Sequence, residues 1–218
     1  EQIANDGNGF YSYIDSYQEA RKVFGSELGA QLVTIAKDVK VQIFFNPAKV
    51  AAWRLIGYEN RLLAAEDFDD DSVDAGDIGA GHTVTALYEL VPAGQAVPQR
   101  ASANPFVAVR QQAQPDFPDT AHDLMLRLRY QPPKGSVSTL QEAKLSLPMV
   151  AFDQADRDLR WAAGVAACGM LLRNSPYKGA CSWEQVLDWT TAARGADDQG
   201  RRSAFLQSMR TARDLSAR

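Results

Sequence analysis

Histidine and cysteine, the side chains that most often announce catalysis or metal chemistry, occur only twice each in these 218 residues. His82 and His122 are therefore the only ordinary general bases open to a nucleophilic hydrolase. Cys168 and Cys181 are too few to indicate a redox compartment, and because Cys168 falls inside an apolar helical pattern, two free thiols are expected rather than a disulfide. The G-x-S-x-G elbow, the Walker A loop, the H-E-x-x-H pair and the full G-x-G-x-x-G fingerprint are all missing. So is any apolar run approaching the roughly 18 residues of a membrane-spanning helix. The opening EQIANDGNGF has neither a Met start nor the charged and apolar regions of a secretory leader, as expected of a piece of a longer protein. A formal charge of −4 gives no ground for a nucleic-acid partner.

What is abundant is negative charge in one place. Seven carboxylates lie between Glu66 and Asp77 in the run EDFDDDSVDAGD, and no basic residue separates them. Such a cluster repels itself unless it is solvated, neutralised by a cation, or faced by a basic partner surface. With 45% hydrophobic residues the chain has enough apolar material for a core of one or two domains.

Three regimes follow one another along the chain. A short strand over Phe10–Ile14 leads into a helix that Asp15 or Ser16 can cap, with Gly29 just past its end and Ala20, Val23, Phe24 and Leu28 on one face. From Leu32 to Pro148 the rhythm has period two. Val39, Val41, Ile43 and Phe45 alternate with Lys40, Gln42 and Phe44, and further strands are expected at Val50–Tyr58, Thr83–Val91, Phe106–Arg110, Leu124–Tyr130 and Ala143–Leu147. In the strand from Leu124, the residues Leu124, Leu126, Leu128 and Tyr130 are expected inward and Met125, Arg127 and Arg129 outward. The stretch Pro92–Asp123, rich in Pro and Gln, reads partly as irregular loop.

After Pro148 the pattern is helical. A helix over Asp153–Arg173 is expected to be capped by Asp153 and to carry Leu159, Ala163, Ala166, Ala167, Met170 and Leu171 on its apolar side. Ser182 and Gln185 have capping-box spacing for a second helix to about Arg194, and Gln199–Leu215 makes a third. The apolar residues of this tail, including Trp161, Trp183 and Trp189, are expected to pack on one face of the sheets. The expected class is α+β: an antiparallel β-sandwich followed by a three-helix tail packed against it, with a short βα remnant at the N-terminus. The corresponding segments are 1–31, 32–148 and 149–218.

The acidic stretch offers the first candidate sites. An EF-hand from Asp67 fails, because Ser72 stands where the tight turn needs Gly and Ile78 where a bidentate Glu belongs. A calcium site of another kind, drawn from Asp67, Asp69, Asp71, Asp74 and Asp77, is a candidate, and Asp69, Asp70 and Asp71 are candidates for contact with a basic protein partner. Glu59 and Glu89 are expected in structural salt bridges beside Arg61 or Arg54 rather than as a glycosidase pair. Both histidines read as exposed or hydrogen-bonded residues at strand edges.

The run from Thr34 to Pro92, with FNPAKV, LIGYENR, EDF and DIGAGHTVTALYE, resembles the region that follows the von Willebrand factor type A domain in a group of bacterial envelope proteins. RWAAGVAACGMLLRNSPYKG and DDQGRRSAFLQSMRTA resemble the helical end of the same region, so the likeness covers most of residues 30–218. It implies that residues 1–31 are the last strand and helix of the type A domain. It also implies that the magnesium-binding D-x-S-x-S ligands lie in an absent upstream part, and that the parent belongs to the cell envelope as a periplasmic or surface lipoprotein. No cofactor is expected in the chain itself apart from the calcium alternative. The function expected is that of a non-catalytic protein-interaction or scaffolding module; the alternatives are a calcium-stabilised module and, last, a hydrolytic enzyme.

Overall fold

The computed structural model describes residues 11–26, 28–57, 63–98, 107–108, 121–147 and 149–216. Two compact units divide the chain: Glu1–Arg54, Tyr58–Val84 and Glu89–Leu147 form one, and Leu55–Gly57, Thr85–Tyr88 and Pro148–Arg218 the other.

The first unit opens with helix α1 (Tyr17–Arg21), a π-helical turn (Lys22–Ser26) and α2 (Leu28–Leu32). Ser16 supplies the cap, its side chain accepting from the Glu19 N–H at 3.2 Å. Two expectations are corrected here. Residues 11–14 form no strand, Phe10 lying outside the described residues, and Gly29 sits inside α2 rather than past a helix end. The π turn also shifts the helical phase, so of the expected apolar face Val23 is buried while Phe24 and Leu28 are exposed.

Seven strands follow: β1 (Thr34–Phe45), β2 (Val50–Ile56), β3 (Gly76–Gly79), β4 (Leu87–Pro92), β5 (Val107–Ala108), β6 (Leu124–Gln131) and β7 (Thr139–Leu145). One sheet has the order β3-β1-β6-β7 and the other β4-β2-β5. β1 pairs antiparallel with β3 and β6, β6 with β7, and β2 with β5. Phe45 of β1 and Trp53 of β2 join the two sheets, their ring centroids 5.7 Å apart. With the helices, this is the expected α+β class.

The strand boundaries depart from expectation in instructive places. β4 starts at Leu87, so Thr83–Ala86 are not strand, and β7 begins four residues before Ala143. β3 forms inside the acidic stretch, where no strand was expected. Tyr58 and the flanks of β5, like Glu59 and Arg61, lie outside the described residues.

In the second unit, a 3-10 turn (Phe152–Gln154) precedes helices α3 (Arg157–Leu172), α4 (Trp183–Ala192) and α5 (Arg201–Ser216). The cap of α3 is Asp156 rather than Asp153, its carboxylate accepting from the N–H groups of Asp158 and Leu159. Ser182 and Gln185 close the expected capping box at the start of α4. Ala167 and Cys168 of α3, Val186 and Leu187 of α4, and Leu206 and Met209 of α5 form a core of their own, with Trp161, Trp183 and Trp189 packed against it. Leu159, expected on that side, is exposed. Both cysteines are free thiols.

Candidate functional site

The acidic stretch is built onto the face of the four-stranded sheet that carries positive charge. In the β1–β6 register Lys40 lies opposite Arg129, Gln42 opposite Arg127 and Phe44 opposite Met125, and side chains two apart on a strand share a face. Like charges directly opposite one another destabilise an antiparallel pair. A strip holding Lys40, Arg127 and Arg129 therefore needs anions over it, just as the seven acids need cations.

The covering segment begins with a 3-10 turn, Ala65–Phe68, which drives Phe68 into the interior at 2% exposure. The Arg127 guanidinium lies over the Phe68 ring at 4.8 Å from its centroid, a cation–π contact that seats the turn on the sheet. Arg129 then reaches Asp71 through Nε at 3.1 Å and Nη2 at 2.9 Å, and Asp69 through Nη1 at 3.4 Å. Arg127 approaches Asp69 at 3.7 Å, donates from Nη1 to Gln42 at 3.1 Å and from Nε to Glu142 at 3.0 Å. Ser138 donates to Asp71 at 2.6 Å.

Lys40, whose side chain is fully buried, donates to the carbonyl oxygen of Asp70 and lies 3.6 Å from Asp38 Oδ2. The Asp70 carboxylate turns away to receive the N–H and hydroxyl of Ser72. Asp77, on β3, accepts from the Asp38 N–H at 3.1 Å. Asp38 sits where the β1 register shifts, with φ of +51°, a left-handed conformation that costs on the order of 1–3 kcal/mol for a residue other than Gly. Its Oδ1 is buried without a hydrogen-bond partner among the described residues, while Oδ2 receives Gln131 at 3.4 Å.

The electrostatics follow from these contacts. The Asp71 carboxyl is held below the ordinary carboxylate range, first by the Ser138 hydroxyl and then by Arg129. The Asp70 carboxyl is lowered by the Ser72 side chain and backbone. Of the sequence candidates, Asp69 and Asp71 meet at Arg129, Asp70 contributes mainly its carbonyl, and Asp77 holds the bulge of β1. The carboxylates of Asp67 and Asp74 accept no hydrogen bond and form no ion pair among the described residues, while the Asp67 carbonyl accepts from the Asp70 N–H at 3.3 Å. No three carboxylate, imidazole or thiolate groups form a metal-holding cluster among those residues.

The residues that sequence reasoning missed are the cations. The outward expectation for Arg127 and Arg129 is corrected: both are largely covered, with side chains 18% and 19% exposed. Lys40 is buried at 2% while its neighbour Val41 is 56% exposed. The available signal was Arg127 and Arg129 two apart on one strand, in a chain whose excess of acids comes from one stretch.

The other candidates lie elsewhere. Glu89 forms the expected salt bridge with Arg54, Nε to Oε2 at 2.6 Å. His82 is exposed and its backbone N–H donates to Gly79. The carbonyl of His122 accepts from Asn46 at 2.8 Å. Its neighbour Asp123 is lowered in pKa first by Lys49, 2.7 Å away, and then by the Leu147 N–H.

The family model described as "Uncharacterized protein YfbK, C-terminal" matches residues 30–215. The chain belongs to the YfbK C-terminal family. It is 43% identical over 206 residues to "Uncharacterized protein YfbK" of Escherichia coli (strain K12), a match covering 94% of this chain and 35% of that protein. The chain thus spans about a third of the length of its curated YfbK relative. No solved structure matches. The YfbK family match takes in β1, β3 and β6, the strands that the acidic segment and its cations occupy, together with all three C-terminal helices.

Proposed function

We propose that this YfbK C-terminal region is a non-catalytic protein-interaction or scaffolding module of a bacterial envelope protein that carries a von Willebrand factor type A domain. The observation that carries the proposal is a concentration of uncovered apolar surface. Tyr11, Tyr13, Tyr17, Phe24, Leu32, Val33 and Ile35 are exposed by 49–82%, all within the first 35 residues. Clustered apolar exposure marks interaction surfaces more often than it marks solvent. The region corresponds to 35% of its relative, which supports reading that surface as one directed at the remainder of a longer polypeptide.

Under this reading the acidic stretch is a structural clasp, since guanidinium groups already occupy Asp69 and Asp71. The test is co-purification of the chain with the separately expressed remainder of its parent. Capture that is lost on Leu32→Asp with Phe24→Asp, and kept on Asp69→Asn with Asp71→Asn, supports the proposal. The opposite pattern places the partner on the acidic stretch and overturns it.

A further inference from the structure

We propose that the outer face of α3 is a pairing surface for a second copy of this chain, the two α3 helices lying antiparallel across a twofold axis. Between Arg160 and Arg173 the sequence runs WAAGVAACGMLL, so α3 carries no charge on either side over about three turns. Its inner side is accounted for. Gly164 meets Thr190 of α4, and Ala167 and Cys168 join the core made with α4 and α5. A surface helix ordinarily sets polar residues opposite its buried stripe, and a helix that is apolar all round is one covered all round. On the outer side of α3, however, Leu159, Val165 and Leu172 are exposed. Gly169 lies among them, and a Cβ there would meet nothing within 4 Å. Packing within the chain therefore gives no reason for a glycine, the poorest helix former after proline.

That outer face is complementary to itself. A twofold axis perpendicular to the helix, passing midway between Val165 and Ala166, sets Val165 against Ala166 of the second copy. The same axis sets Ala162 against Gly169 and Leu159 against Leu172. The small pair lets the two backbones approach, and the leucine pairs close over both ends. Because such an interface is isologous, each of these contacts occurs twice.

Charge at the ends fixes the direction. One residue beyond each leucine stand Asp158 and Arg173, and the same axis brings each to the other. A parallel pair would oppose aspartate to aspartate and arginine to arginine, which like-charge repulsion disfavours. The antiparallel pair also lays each helix N-terminus beside the other's C-terminus, where the macrodipoles attract. Both end residues have contacts within their own chain, Asp158 with Arg202 at 2.8 Å, so the selection rests on the sign of each charge and not on either being free.

Sedimentation equilibrium of the full chain over a wide concentration range tests the proposal, beside circular dichroism melting of each variant at a dilution where all are monomers. A reversible dimer is expected, and Leu172→Asp should abolish it. Gly169→Leu should abolish it too, because the new side chain blocks the close approach. Its melting temperature should nonetheless equal or exceed that of the unaltered chain, since the position is open and leucine favours helix over glycine. A monomer at every concentration overturns the proposal, whether or not the face packs on another polypeptide. A dimer that survives Gly169→Leu in a folded chain lies elsewhere on the surface and overturns it too.

Discussion

The Asp71 carboxylate accepts from both the Arg129 guanidinium and the Ser138 hydroxyl, and its chemistry sets a pH dependence. Its carboxyl is lowered in the folded state, mainly by Ser138 and then by Arg129. A carboxylate with a depressed folded pKa contributes stability that is complete above its unfolded value, about 3.9, and is lost as pH falls through the folded value. Melting temperature should therefore drop as the pH is lowered from about 5 to 3, and Asp71→Asn should flatten that drop while lowering stability at pH 7. An equally steep acid limb in Asp71→Asn would show that other carboxylates carry it. Lys40 makes the complementary point: a buried ammonium is tolerated only when its hydrogens and charge are met, which Asp70 and Asp38 do here.

Among the elements, α3 and α4 approach closely because Gly164 is a glycine. A Cβ there would lie 2.2 Å from Thr190 Cγ2, far inside van der Waals contact, and Thr190 is held by its hydroxyl to Val186 O at 2.6 Å. Gly164→Ala should cost about 1–3 kcal/mol in urea unfolding, as overpacking does, and Thr190→Ser in the same chain should recover much of it. Elements of this kind were the most legible in the sequence: Ser182 and Gln185 fixed the start of α4 by local chemistry alone. Six of the seven strands were legible in place rather than in facing. The β1 alternation could not reveal that Lys40 points inward, because the reason is Asp70, thirty residues away, and a register shift at Asp38. β3 was hidden because Asp77 and the glycines at both ends of its four residues, Gly76 and Gly79, resemble a loop, and only pairing with β1 makes them a strand.

Over the whole molecule, residues 59–77 hold eight acids against Arg61, which leaves the remainder of the chain with a net positive charge. The fold places part of that excess, Lys40, Arg127 and Arg129, beneath the acids. If guanidinium groups do the neutralising, millimolar calcium should leave the melting temperature where chelator leaves it. A calcium-dependent rise would restore the ion-site alternative at Asp67, Asp69, Asp71, Asp74 and Asp77, since a ligand bound only to the native state stabilises it. Exposed ion pairs are individually weak and screened by salt, so the clasp should act as a network and weaken as ionic strength rises.

The most direct measurement of the clasp is a double-mutant cycle between Asp71→Asn and Arg129→Gln, read by urea unfolding at low and high salt. The prediction is that each single substitution destabilises, that the double loses clearly less than their sum, and that the coupling shrinks in high salt. Additive losses at both salt concentrations would contradict it and return the acidic stretch to solvent or to a partner.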